Sequence, residues 1–101
     1  MTDTDLKPRL GTRKKVERPK RYLVVLLNDD YTPREFVILV LKGEFRLDAG
    51  QAERVMITAH QKGACVVSVY PRDVAETKTA RAIEAASRMG YPLQFSVEPE
   101  E

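Results

Sequence analysis

Three short apolar runs limit what this chain can fold into. They read YLVVLL at residues 22–27, ACVVSVY at 64–70 and LQFSV at 93–97. Each has the length and the β-branched or aromatic content of a strand, and the first has so few polar breaks that both of its faces should be covered. Three strands alone bury little apolar surface, so helices must pack against them.

Capping residues predict the first helix directly after the first strand. Thr32 is a suitable N-cap, Pro33 fits the first helical position because it lacks an N–H group, and Glu35 completes a T-x-x-E capping box. We expect this helix to begin at Pro33 and to run to about Phe45.

Two further helices follow. The second should begin after Asp48, with Gln51 in the reciprocal capping position, and end at Gly63. The third should span about residues 73–89 and end at Gly90. The resulting order, β-α-α-β-α-β, predicts a compact single α/β domain in which three helices pack on a three-stranded antiparallel sheet.

The first 21 residues differ in charge from the rest. They contain eight Lys or Arg against three Asp or Glu, a net charge of +5, whereas residues 22–101 hold nine basic and twelve acidic residues, a net charge of −3. We expect residues 1–21 to be a disordered basic tail before a folded domain at 22–101. The tail charge allows nucleic-acid binding as well as a solubilising or interaction arm. No aromatic residues interleave with its basic residues, which argues against nucleic acid.

Length and composition indicate one small soluble domain. The 101 residues contain no apolar window near the roughly 18 residues of a membrane span and no signal-peptide-like start, so we expect a cytoplasmic protein without membrane contact. The single cysteine, Cys65, lies within an apolar run, and we expect a buried, inert thiol.

The first helix has more apolar surface than one sheet can cover. FVILVL, at residues 36–41, places six successive apolar side chains around the whole helix circumference. Either the second helix covers the excess, or the two helices leave an apolar pocket between them. In the second case Met56, Ala59 and His60, within one helical turn, would form the facing wall.

His60 is the only histidine, and it has several possible roles. A structural role is one of them. Asp29, Asp30 and His60 have metal-ligand chemistry, but adjacent aspartates point in different directions and no outer partner is evident, so we expect neither a metal nor a cofactor. Hydrolysis would need a nucleophile with an orienting third group and an oxyanion turn, which the chain lacks. We therefore expect no enzymatic activity.

Three segments together resemble a known family. They read VLLNDDYTPREFVILVL, then AERVMITAHQKGACVVSVYPRDVAETK, then YPLQFSVE. In order and spacing, over about residues 22–98, they resemble ClpS, the adaptor that delivers N-degron substrates to the ClpAP protease. The resemblance implies a small α/β domain that binds proteins beginning with Leu, Phe, Tyr or Trp and docks on the N-terminal domain of the unfoldase ClpA. We expect the protein to be a monomer.

The resemblance also implies a site for an α-amino group. An ammonium group carries a positive charge and three donors, so its recognition needs several acceptors. By position, Asn28, Asp30 and His60 are expected to accept, with Asp29 in support. The first side chain of the substrate would enter a pocket lined by Thr32, Arg34, Val37, Met56, Ala59 and Leu93.

Two positions depart from the family pattern. Arg34 stands where methionine is common, and Ala59 where a larger aliphatic residue is frequent. Both changes predict a preference for aromatic first residues over leucine. At the other end of the domain, the resemblance implies that Asp73 and Lys78 contact ClpA, and that the basic tail corresponds to the flexible ClpS extension.

Overall fold

The structure, a computed structural model, describes residues 19–101, so nearly all of the expected basic tail (residues 1–21) lies outside it. Three helices and a three-stranded antiparallel sheet follow one another in the order β-α-α-β-α-β, which confirms the expected fold. The elements are β1 (Arg21–Leu27), α1 (Arg34–Gly43), α2 (Ala49–Lys62), β2 (Ala64–Pro71), α3 (Arg72–Arg88) and β3 (Phe95–Pro99).

The first strand is the centre of the sheet. The strand order is β2-β1-β3, and β1 pairs antiparallel with both neighbours. Val24, Val25 and Leu26 are all buried, as the unbroken apolar run predicts. A register irregularity lies between Val24 and Val25, and pairing continues to Leu27 opposite Ala64. The end of β1 therefore lies beside the beginning of β2.

The core lies between the sheet and the helices. Its largest fully buried side chains are Phe45, Leu41, Leu93 and Val24. The Phe45 ring lies 5.2 Å from the Phe95 ring, centroid to centroid, in a tilted arrangement of the kind that aromatic pairs prefer. The core thus joins the segment after α1 to the last strand.

The first helix is shorter than expected at both ends. Its N-cap is Pro33 and not Thr32. The Thr32 N–H and hydroxyl both donate to the Asp29 carboxylate, at 2.7 and 3.0 Å, so Thr32 belongs to the preceding loop. It ends at Gly43, two residues before Phe45, because the chain leaves the helix where Phe45 turns into the core.

The caps of α2 agree with the expectation. The Asp48 carboxylate accepts from the Gln51 N–H at 2.8 Å, and the Gln51 side chain accepts from the Asp48 N–H at 3.0 Å. Gly63 ends the helix with φ +91°, in the left-handed region. Its carbonyl oxygen accepts from the Asn28 N–H at 3.0 Å, which ties the end of α2 to the end of β1.

The last two elements are displaced from their expected bounds. Helix α3 begins and ends one residue before the expected 73–89. Strand β3 begins at Phe95 and not at Leu93, and the Leu93 side chain, 1% exposed, packs in the core. Within the described residues, no helix is both long and apolar enough to cross a bilayer.

The left-handed end of α2 leads to a stability prediction. A Cβ at Gly63 would contact nothing within 4 Å, so Gly63→Ala tests the backbone conformation alone. We expect it to lower the free energy of unfolding by about 1 kcal/mol, because alanine disfavours positive φ. Gly43 is the matched control, because it is the last residue of α1 and a Cβ there would also contact nothing within 4 Å. Gly43→Ala should raise stability by about 0.5 kcal/mol. Urea denaturation of both variants measures the difference, and changes of the same sign would contradict it.

Candidate functional site

A cavity of about 320 Å³ lies where the end of β1, the following loop and the helices α1 and α2 meet. Its floor is apolar, with Leu26, Val37 and Ala59 almost fully buried, and polar groups surround its mouth. The lining residues are Leu26, Leu27, Asn28, Asp29, Asp30, Thr32, Arg34, Val37, Met56, Ile57, Ala59 and His60.

Asp29 organises the loop at the mouth. Its Oδ1 accepts from the Tyr31 N–H at 2.8 Å and from the Thr32 N–H at 2.7 Å. Its Oδ2 accepts from the Thr32 hydroxyl at 3.0 Å. Aspartate commonly closes such turns by accepting from backbone groups two or three residues ahead. The Asp29 carboxylate is thus used within the loop, and it fixes the backbone that carries Asn28 and Asp30.

Asp30 and His60 face each other across the mouth. The His60 Nδ1 lies 4.0 Å from the Asp30 Oδ1, and the two side chains are 71% and 73% exposed. A pair this exposed contributes little to stability. Both side chains therefore remain available to a third group with hydrogen-bond donors.

The mouth and the floor together define what the cavity can bind. Asn28 offers a carboxamide oxygen, Asp30 a carboxylate and neutral His60 a ring nitrogen, all of them hydrogen-bond acceptors. Directly below lie apolar side chains. A compact cation with several N–H donors and one apolar substituent satisfies both halves, and the α-amino end of an apolar residue has this chemistry.

Ten residues were predicted for the amine site and the apolar pocket, and the structure brings nine of them to this cavity. The tenth, Leu93, is not in its lining and lies in the core. Sequence reasoning did not identify Leu26, Leu27 and Ile57 as lining residues. Ile57 is three residues before His60 on α2, and this spacing on one helix face was a usable signal.

Arg34 connects the two helices at the mouth. Its Nη2 lies 3.5 Å from the Oε2 of Glu53, with side chains 64% and 55% exposed. Arg34 is the first residue of α1, and Glu53 lies in the second turn of α2. The ion pair therefore links the first turn of α1 to the second turn of α2, beside the cavity that Arg34 lines.

Asp73 and Lys78 lie along a separate, shallow groove at the beginning of α3. The Lys78 ammonium donates to the backbone oxygen of Glu44 at 2.9 Å and lies 5.6 Å from the centre of the Tyr70 ring. Arg81 pairs with the Glu44 carboxylate at 3.3 Å. The groove is lined by Glu44, Asp73, Val74, Thr77, Lys78 and Arg81.

The described chain contains no convergent metal-ligand set: nowhere in residues 19–101 do three His, Cys, Asp or Glu side chains come together in a way that could hold an ion. Fold and site together define a small α/β domain with an apolar cavity whose mouth carries hydrogen-bond acceptors.

Comparison with known proteins identifies the family. The family model described as ATP-dependent Clp protease adaptor protein ClpS matches residues 17–96. The chain therefore belongs to the ClpS family, and it is an adaptor of the Clp protease and not an enzyme.

Individual relatives cover the whole chain. It is 60% identical to the ATP-dependent Clp protease adapter protein ClpS 1 of Bradyrhizobium diazoefficiens, with full coverage of both chains. It is 59% identical to the ClpS 1 of Rhodopseudomonas palustris, again over both full lengths. Among solved structures, it is similar to Agrobacterium tumefaciens ClpS2 bound to L-phenylalaninamide, with 55% identity and a TM-score of 0.79. That match covers 82% of this chain and all of the other.

Proposed function

We propose that this protein is an N-degron adaptor. It binds proteins whose free amino terminus begins with Phe, Tyr, Trp or Leu and delivers them to ClpA for degradation by ClpAP. The observation that carries the proposal is the cavity, with its apolar floor below three acceptors. The ligand of the Agrobacterium relative supports it, because L-phenylalaninamide has a free α-amino group, an aromatic side chain and an amide where a peptide would continue.

The mouth selects a free amino group. The ammonium donates to the Asn28 carboxamide oxygen, the Asp30 carboxylate and a ring nitrogen of His60. An acetylated terminus lacks the charge and two of the donors. It would leave the acceptors desolvated and unpaired, which costs about 1–3 kcal/mol for each group. The protein therefore distinguishes a chain end from the rest of a polypeptide.

The floor selects an apolar first side chain. Val37 and Ala59 are almost fully buried in the cavity lining, and Met56 adapts its shape readily because its side chain is unbranched. Burial of a Leu or Phe side chain contributes about 1.5–3 kcal/mol. Micromolar affinity corresponds to about 8 kcal/mol, so binding needs the amine contacts and the apolar contacts together.

Asp30→Ala tests the amine contact. We expect it to weaken binding of a Phe-initiated peptide at least about tenfold, because the bound ammonium loses its charged partner. The thermal unfolding midpoint should be unchanged, since the Asp30 side chain is exposed and, within residues 19–101, its ionic contact is the 4.0 Å one with His60. Fluorescence anisotropy with a labelled peptide and thermal unfolding measure the two effects.

Asp29→Ala provides the contrast to that test. Its carboxylate accepts three hydrogen bonds within the loop, so this variant should lose stability as well as peptide affinity. An Asp30→Ala protein that unfolds normally and binds the peptide as tightly as wild type would refute the amine-binding role.

Arg34 and Ala59 favour aromatic first residues. The guanidinium of Arg34, at the mouth, is planar and stacks on a flat aromatic ring, whereas a branched aliphatic side chain offers it less contact. Ala59 is small and leaves space on the floor that leucine fills poorly, so dispersion contacts are lost. Arg34 and Ala59 therefore both favour an aromatic first residue over leucine.

We therefore expect Phe, Tyr and Trp to bind more tightly than Leu by about 1 kcal/mol, or roughly fivefold. The measurement uses four peptides that are identical after the first residue. Arg34→Met should improve Leu relative to Phe, because it replaces the guanidinium with a compact apolar side chain. Equal affinities of wild type for Leu and Phe would show that the mouth does not set the preference.

The groove at the beginning of α3 is the proposed docking surface for ClpA. Asp73 presents an exposed carboxylate in the first turn of α3, and the Lys78 ammonium is held in place by the Glu44 carbonyl and the Tyr70 ring. Neither residue lines the cavity, so both partners have room to bind at once.

Charge reversal at Asp73 tests this surface. Asp73→Lys should weaken binding to the isolated N-terminal domain of ClpA at least about fivefold, because it introduces a repulsive contact at the interface. Affinity for the Phe-initiated peptide should stay the same. Glu84→Lys, an equivalent reversal on an exposed residue farther along α3, is the control. Calorimetric titrations in which both variants bind ClpA equally would place the docking surface elsewhere.

A further inference from the structure

We propose that Glu53 is a positioning residue for substrate selection. Through its ion pair with Arg34, it holds the guanidinium over the mouth of the cavity and so strengthens the preference for aromatic first residues. This inference rests on the proposed function, because it concerns the selectivity of the same cavity. Glu53 itself does not line the cavity and acts only through Arg34.

The geometry places Glu53 at the rim. It lies one helical turn before Met56 and Ile57, and both of these line the cavity. Residues three and four apart on a helix share a face, so Glu53 lies on the same face of α2 as Met56 and Ile57, one turn closer to the helix N-terminus. From there its carboxylate meets the Arg34 guanidinium at 3.5 Å, across from the first turn of α1.

The ion pair matters for position more than for stability. Both side chains are more than half exposed, and exposed pairs add little to the free energy of folding. A free arginine side chain, in contrast, distributes over many rotamers, and stacking on a ligand would then require it to be ordered. With Glu53 present, the Arg34 side chain is already partly ordered before the ligand binds. Less entropy is then lost when an aromatic first residue stacks on it, so aromatic ligands gain affinity relative to Leu.

Of the carboxylates near Arg34, Glu53 is the one that pairs with it. Asp30 also lines the mouth, but its ionic contact is with His60, and the Asp29 carboxylate accepts hydrogen bonds within the loop. Glu35 is adjacent to Arg34 in sequence, yet successive helical residues point in different directions. Among the described residues, Glu53 is the one acidic partner within 4.0 Å of Arg34.

A double-mutant cycle tests the inference. Binding of Phe- and Leu-initiated peptides is measured for wild type, Glu53→Gln, Arg34→Met and the double variant. Glu53→Gln should reduce the ratio of Phe to Leu affinity about twofold, which is less than the whole preference because Ala59 and the Arg34 side chain are still present. In the Arg34→Met background the same change should leave the ratio unaltered, since Glu53 then has no guanidinium to hold.

Two further measurements separate this role from a general loss of charge. Glu84→Gln removes half of an ion pair with Arg88 that is also more than half exposed and lies away from the cavity, so it should leave the ratio at the wild-type value. Raising the salt concentration to about 1 M should lower the ratio in wild type and leave it unchanged in Glu53→Gln, because salt screens exposed pairs.

The outcomes are distinguishable. An unchanged ratio in Glu53→Gln, or an equal fall in the wild-type and Arg34→Met backgrounds, would overturn the positioning role while leaving the adaptor function in place. Failure of the wild-type protein to bind either peptide would instead overturn the proposed function, and the inference with it.

Discussion

The pairing of β1 with the beginning of β2 is the constraint on which the site depends. Leu27 lies opposite Ala64, and one residue farther along, the Asn28 N–H donates to the Gly63 carbonyl. These contacts bring the loop after the central strand against the last turn of α2. Asp30 and His60, thirty residues apart in sequence, thereby come to face each other across one opening. Without this junction the acceptors on the loop after β1 would not lie beside His60 on α2.

The sequence predicted those features that local chemistry determines. The capping box of α2 and its end at Gly63 follow from side-chain and backbone preferences within a few residues, and both are present. The Thr32 prediction was wrong: the Asp29 carboxylate accepts from both the N–H and the hydroxyl of Thr32, which places Thr32 in the loop, and the N-cap falls at Pro33. The places of Leu93 and Glu53 needed three-dimensional information. Leu93 lies in the core and outside the cavity lining, and Glu53 is brought close to Arg34 by the packing of α1 and α2.

The site divides its tasks between residues of opposite exposure. The floor consists of side chains that the core already holds rigidly, such as Val37 and Ala59, so it needs no rearrangement to accept an apolar group. The acceptors at the mouth are exposed: Asn28 and Asp30 lie on the loop that Asp29 closes, and His60 lies on α2. For the proposed ligand, a rigid floor and a loop fixed by its own hydrogen bonds together form a preorganised site, which lowers the ordering entropy lost on binding.

The exposed position of the Arg34 and Glu53 pair bears on how the protein can change over evolutionary time. Substitutions accumulate only while a protein stays above its stability threshold, and exposed residues outside the core usually change stability by less than about 0.5 kcal/mol. Both members of the pair are more than half exposed, whereas Val37 and Ala59 below them are almost completely buried. New variants of the rim therefore arise with little risk to folding, and the rim is the part of the cavity most free to diverge between lineages.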